Sequence, residues 1–141
     1  YKYKKIGQGE EMQTLKTARI VMQIYGWGIL FCLPIMFFLF PAGFQWGSHP
    51  ESLNDAFSPY VFMIGTMYIA LSIVLIQSAN QPEKHGSLFD YVIYSSILHG
   101  LLMLGQSIYE PHELVHLVGD VPLLFLMAWS FWYWHPKKCS S

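Results

Sequence analysis

The 141-residue chain has little charge: Lys, Arg, Asp and Glu make up 12% of it, where a soluble domain carries about 25%. Hydrophobic residues reach 53% and aromatics 17%, with a mean hydropathy of +0.33. So few charges among so many rings exclude a chain with water on all sides, and the apolar content excludes disorder. A net charge of −1, with no basic cluster among the aromatics, leaves no electrostatic footprint for nucleic acid. Cysteine is nearly missing as well. Cys32 lies in an apolar stretch and Cys139 in the tail, so no disulfide framework exists. Period-two alternation is absent, which excludes a membrane barrel, and no internal repeat or low-complexity tract occurs.

What the chain does have is long uncharged runs. No Lys, Arg, Asp or Glu occurs over 20–50, 56–82 or 91–109, and a fourth run covers 121–136, extending back to Leu114 if Asp120 is tolerated within it. A spanning helix needs about 20 mostly apolar residues, and each run supplies them. The expected fold is all-α: one integral membrane four-helix bundle over residues 1–141, with spans near 20–41, 60–79, 88–108 and 114–134. Gly9-Glu10-Glu11, followed by Met12, Leu15 and Arg19, predicts that the first helix begins before the membrane.

The basic residues orient the bundle. Four spans put both termini and the 80–87 loop on one side, and all eight Lys and Arg residues lie there. The opposite loops carry Glu51, Asp55, Glu110 and Glu113 but no basic residue. The positive-inside rule therefore predicts cytoplasmic termini. Trp46 and Tyr60 fall at the outer boundary, while Trp129, Trp132, Tyr133 and Trp134 crowd the inner one, as interfacial belts do.

Candidate chemistry gathers between the third and fourth spans. Ser95 or Ser96, His99, Met103 and Gln106 lie three or four apart and share a helix face; His112, His116 and Asp120 form a second stripe. At about 1.5 Å per residue, His99 and Asp120 come to similar depths, roughly 15 and 12 Å below the turn that joins the two helices. An ionisable residue inside a span is costly and commonly pairs with another. Pro122 cannot donate to the carbonyl of Val118, and Gly119 loosens the same turn, so a break, a carboxylate and a free carbonyl are expected together.

Four readings of this cluster stay open. In the first, His99, Asp120, Ser96 and Gln106 are a polar latch that locks the hairpin. Such bonds average only about 0.6 kcal/mol in membranes but set register. In the second, His99, His116 and Asp120 hold a transition metal as a two-His, one-carboxylate set. The third is a proton relay or a small polar-ligand site. Haem is disfavoured, because His99 and His116 differ in depth by about a turn and a half. His112-Glu113-Leu114-Val115-His116 also fits H-E-x-x-H. Here Pro111 and Glu113 suit a helix start, and a catalytic zinc needs a third ligand and an open position. No catalytic residue is assigned. His49, His85 and His135 are read as solvated or interfacial, Pro34 as a kink, and Ser96 with Gly100 as a small-residue pair that permits close helix approach.

The pattern Ser95-Ser96-x-x-His99-Gly100, Met103, Gln106, His116-Leu117-x-Gly119-Asp120-Val121-Pro122, preceded by Gln81-Pro82-x-x-His85-x-Ser87-Leu88, resembles a family of small, uncharacterised bacterial four-span membrane proteins. The resemblance covers about the C-terminal half and brings no activity with it. It implies a bacterial cytoplasmic (inner) membrane protein. The leading expectation is a non-catalytic accessory subunit of a larger membrane complex, its outward faces covered by lipid, by other membrane subunits or by further copies of itself. The alternative is a metal- or ligand-binding membrane protein built on His99, His116 and Asp120.

Overall fold

In a computed structural model the described residues are 2–39, 59–109 and 117–136. They form four α-helices and, among them, no strand: α1 (Lys2–Leu39), α2 (Pro59–Ser78), α3 (Gly86–Tyr109) and α4 (Asp120–Tyr133), with a 3-10 turn at Pro82–Lys84 between α2 and α3. Two segments are long and apolar enough to cross a membrane, Met12–Ile35 and Gly86–Tyr109.

One helix start agrees with the sequence pattern and one differs. α1 begins at Lys2, well before the apolar run near residue 20, as Gly9-Glu10-Glu11 with Met12, Leu15 and Arg19 predicts. It also passes through Pro34, which removes the N–H donor to the carbonyl of Leu30 without ending the helix. α4 opens at Asp120, where the pattern placed a start near 114, since Leu117, Val118 and Gly119 form a turn. Pro122 thereby falls in the first turn of α4, where an N–H has no intrahelical acceptor and proline costs little. Asp120 becomes the first helical residue, its carboxylate at the positive end of the helix dipole.

The helices pair as α1 with α2 and α3 with α4. Gly26 brings the first pair together: a Cβ there would stand 2.7 Å from Ile76 Cγ1 and 3.2 Å from the Ser72 carbonyl oxygen. Gly100 does the same for the second, lying under the Phe125 ring with a Cβ site 3.2 Å from its edge. This is the close approach expected of the Ser96–Gly100 pair. The hydrophobic core sits toward the Pro82–Lys84 turn and includes Ala18, Met22, Leu75, Ala79, Phe89, Val92, Met127 and Phe131. We call this the turn end.

A clamp within the first pair and two contacts between the pairs hold the helices together there. The Arg19 guanidinium donates from Nε to the Ala79 carbonyl at 3.1 Å and from Nη2 to the Asn80 carbonyl at 2.7 Å, just past the end of α2, where carbonyls lack helical donors and a cation is favoured. Tyr25 Oη and Ser130 Oγ are 3.2 Å apart, linking α1 to α4. The rings of Tyr25, Phe89 and Phe131 pack at centroid distances of 5.6 and 5.1 Å, spacings typical of favourable tilted pairs.

Candidate functional site

His99 projects from the middle of α3, half-buried. Its Nδ1 lies 2.8 Å from the hydroxyl of Tyr68 on α2, and the two rings tilt against each other at 6.0 Å. The bond joins α2 to α3, which otherwise touch little. Asp120, half-buried at the start of α4, is the charged group that acts electrostatically on both Tyr68 and His99. The phenol and the imidazole thus meet directly, and the charge of the carboxylate reaches both. With the phenol O–H donating, the ring keeps its proton on Nε2, which has no hydrogen-bond partner among the described residues.

The other expected members fall as follows. Ser96 is 2% exposed, on the α3 face next to His99, and its Oγ has no hydrogen-bond partner. Gln106 is exposed and forms no hydrogen bond among the described residues. His116, with His112 and Glu113, lies outside them, as do His49 and Cys139. Among the described residues no group of three or more His, Cys, Asp or Glu side chains gathers to hold a metal. His85 closes the 3-10 turn with its backbone N–H on the Pro82 carbonyl, and Cys32 is an exposed free thiol.

Two features escaped the sequence reading. The first is Tyr68, hidden in an α2 that reads as uniformly apolar. Its signal was position: a phenol near the middle of an apolar helix cannot reach an interface, so its hydroxyl must find a partner inside. The second is a His–Asp pair at the turn end. His135, 6% exposed, stands 3.1 Å by Nε2 from Asp90 Oδ1 and packs edge-on against Phe89. The pattern had placed His135 among interfacial groups. In the structure it fastens the end of α4 to the start of α3, and only the antiparallel packing of those helices brings it near Asp90.

Fold and site together define a helical protein with two helices able to cross a membrane and a polar cluster on Tyr68, Ser96, His99 and Asp120. The chain belongs to the family of unknown function DUF6632, whose model matches residues 13–134. Neither a curated protein nor a solved structure matches it.

Proposed function

We propose that this is a four-span integral protein of the bacterial inner membrane, with both termini cytoplasmic, serving as a non-catalytic accessory subunit of a larger membrane complex. One observation carries the membrane part: the apolar helices hide little of themselves. Only 22% of the most apolar window of Met12–Ile35 and 28% of that of Gly86–Tyr109 is buried. The core helix of a soluble protein would be mostly buried, so these faces need lipid or another polypeptide. Ile24, Phe31, Met67, Leu98 and Leu102, each at least 58% exposed, lie on three different helices, which suits a bundle embedded on every side. The turn end, with Arg19 and Lys84, is the cytoplasmic end in this reading. α2 has 20 residues, the length of a span, while α4 has 14, about 21 Å and shorter than a usual span.

The subunit role is supported by the exposed apolar faces of α1, α2 and α3, which another polypeptide can cover. Its test is native mass spectrometry of the protein extracted in mild detergent, where co-migrating polypeptides are expected; a bare chain would overturn it. Reporter fusions at both termini test the topology. A second reading, a metal- or ligand-binding membrane protein, is favoured by His99, whose ring is held at Nδ1 by Tyr68 while Nε2 has no hydrogen-bond partner among the described residues. A histidine ligand is commonly fixed through its other nitrogen in this way. With His116 as a third donor, the metal form of this reading predicts one equivalent of transition metal in the purified protein, lost in His99→Ala.

A further inference from the structure

The two helix pairs are attached to each other at one end. Phe89, Phe131, Met22 and Leu75 are fully buried near the turn end, and there the Tyr25–Ser130 hydrogen bond and the Tyr25–Phe131–Phe89 ring contacts join α1, α3 and α4. Beyond that core α2 and α3 meet at Tyr68 and His99, through the 2.8 Å hydrogen bond and the tilted ring contact. The apolar side chains around this bond lie open: Ile64 and Met67 on α2 and Leu98 and Leu102 on α3 are each at least 45% exposed. α3 and α4, by contrast, stay packed on each other from Phe89 and Phe131, through Gly100 under the Phe125 ring, to the buried Ser107 and Val121. Close-packed side chains resist deformation, so this pair moves as one arm.

Leverage makes this attachment sensitive to a small tilt. His99 stands ten residues beyond Phe89 and Ile108 nineteen. At about 1.5 Å per residue those are roughly 15 and 28 Å, so a tilt of about 10° at Phe89 carries them about 2.6 and 5 Å. The first displacement is enough to part a 2.8 Å hydrogen bond. Apolar contact does not oppose the tilt at this level, because the flanks of α2 and α3 are already open and lipid tails are as apolar as leucine. What opposes it is the hydrogen bond, whose two polar partners would otherwise face hydrocarbon.

We propose that the α3–α4 pair is a hinged arm, that the ring cluster of Tyr25, Phe89 and Phe131 is its pivot, and that the Tyr68–His99 hydrogen bond is the latch holding it against α2. Released, the arm opens a lateral gap between α2 and α3 toward the bilayer. Arg19 ties the carbonyls of Ala79 and Asn80 to α1, so the start of the turn stays with the first pair while the arm swings. The inference goes beyond the subunit role and does not depend on it. The membrane reading supplies only the medium, and terminal reporters test that separately.

The experiment is double electron–electron resonance on the full chain in nanodiscs, with Cys32→Ser and Cys139→Ser clearing the native thiols. One pair of nitroxides, on Met63→Cys and Ile108→Cys, spans α2 and α3 beyond the latch. A second, on Lys16→Cys and Tyr133→Cys, spans the turn end; all four positions are exposed. With the latch intact, the first pair should show a main distance and a minor one about 5 Å longer. In Tyr68→Phe the ratio of long to short should rise about threefold, the factor that an average side-chain hydrogen bond in a membrane is worth, with the turn-end distance unmoved. His99→Leu removes the same bond from the other side and should give the same rise, and the double variant no more than either alone. A distribution between α2 and α3 that neither substitution changes overturns the proposal, since the bond would then hold nothing closed. Equal broadening at both label pairs overturns it as well, because the bundle would then loosen throughout without pivoting.

Discussion

The two ends of the bundle are built from similar residues and packed quite differently. At the turn end α1 buries Ala18, Val21, Met22 and Gly26, while α2 buries Ser72, Leu75, Ser78 and Ala79. Toward the far end α1 buries nothing from Trp27 to Ile35, and α2 buries only Gly65 between Met63 and Ala70. Both stretches are apolar, so hydrophobicity does not account for the contrast. What the turn end has is close approach at Gly26, a cation on the terminal carbonyls of α2, and interlocking rings. In a lipid environment apolar area alone does not hold helices together, because the tails are as apolar as leucine; packing and hydrogen bonds must. Toward the far end α1 and α2 lie open, while α3 and α4 stay joined at Gly100–Phe125 with Ser107 and Val121 buried, and the Tyr68–His99 bond links α2 to α3.

The contrast can be broken from either end. Phe131→Ala removes a fully buried ring that touches Tyr25 and Phe89 and should cost about 3–5 kcal/mol, read as a shift in unfolding by a denaturing detergent; a loss below 1 kcal/mol would mean the turn end is not the stabilising half. Gly26→Leu forces α1 from α2 and should cost about 1–3 kcal/mol. Gly28→Ala, with nothing within 4 Å of its Cβ site, should be neutral or up to about 1 kcal/mol stabilising through helix propensity. Equal effects at the two glycines would contradict the close-approach argument. Arg19→Ala should cost about 1 kcal/mol, the exposed guanidinium being screened by solvent, and Arg19→Lys should recover only part of it, since one ammonium cannot span two carbonyls. Limited proteolysis in the 80–87 loop would report the loss of that clamp. Smallest of all, Tyr68→Phe should cost about 0.6 kcal/mol but change the ¹⁵N signals of His99, whose Nδ1 loses its partner. An unchanged imidazole spectrum would mean that the bond does not form.

Much of the fold could be read along the chain. The helices expected near 60–79 and 88–108 appear as Pro59–Ser78 and Gly86–Tyr109, because uncharged length between polar turns is a one-dimensional property. The start of α1 ahead of its hydrophobic run was legible as well, from Met12, Leu15 and Arg19 at helical spacing. The start of α4 was not. Gly119 and Pro122 suggest a break within a helix and serve equally well at the beginning of one, the role α4 gives them.

The candidate site divides in the same way. His99, Ser96 and Asp120 stood out because polar groups are costly in apolar runs. Their partners did not, because partners come from other helices. Tyr68 is 31 residues from His99, and Asp90 is 45 from His135, separations that no local spacing rule connects. Arg19 could be counted among the basic residues of the chain, but its two carbonyl acceptors lie 60 and 61 residues away, just past the end of α2.

The sequence by itself determined that the chain is helical and where the apolar segments and the basic residues fall along it, since each depends on the order of residues and the 3.6-residue period alone. Only the tertiary structure decided which helices pair, which end is tightly packed, and which hydroxyl remains without a partner. Those outcomes turn on whether a missing Cβ at Gly26 or Gly100 meets a neighbour that fits, and that fit exists only once two helices lie side by side.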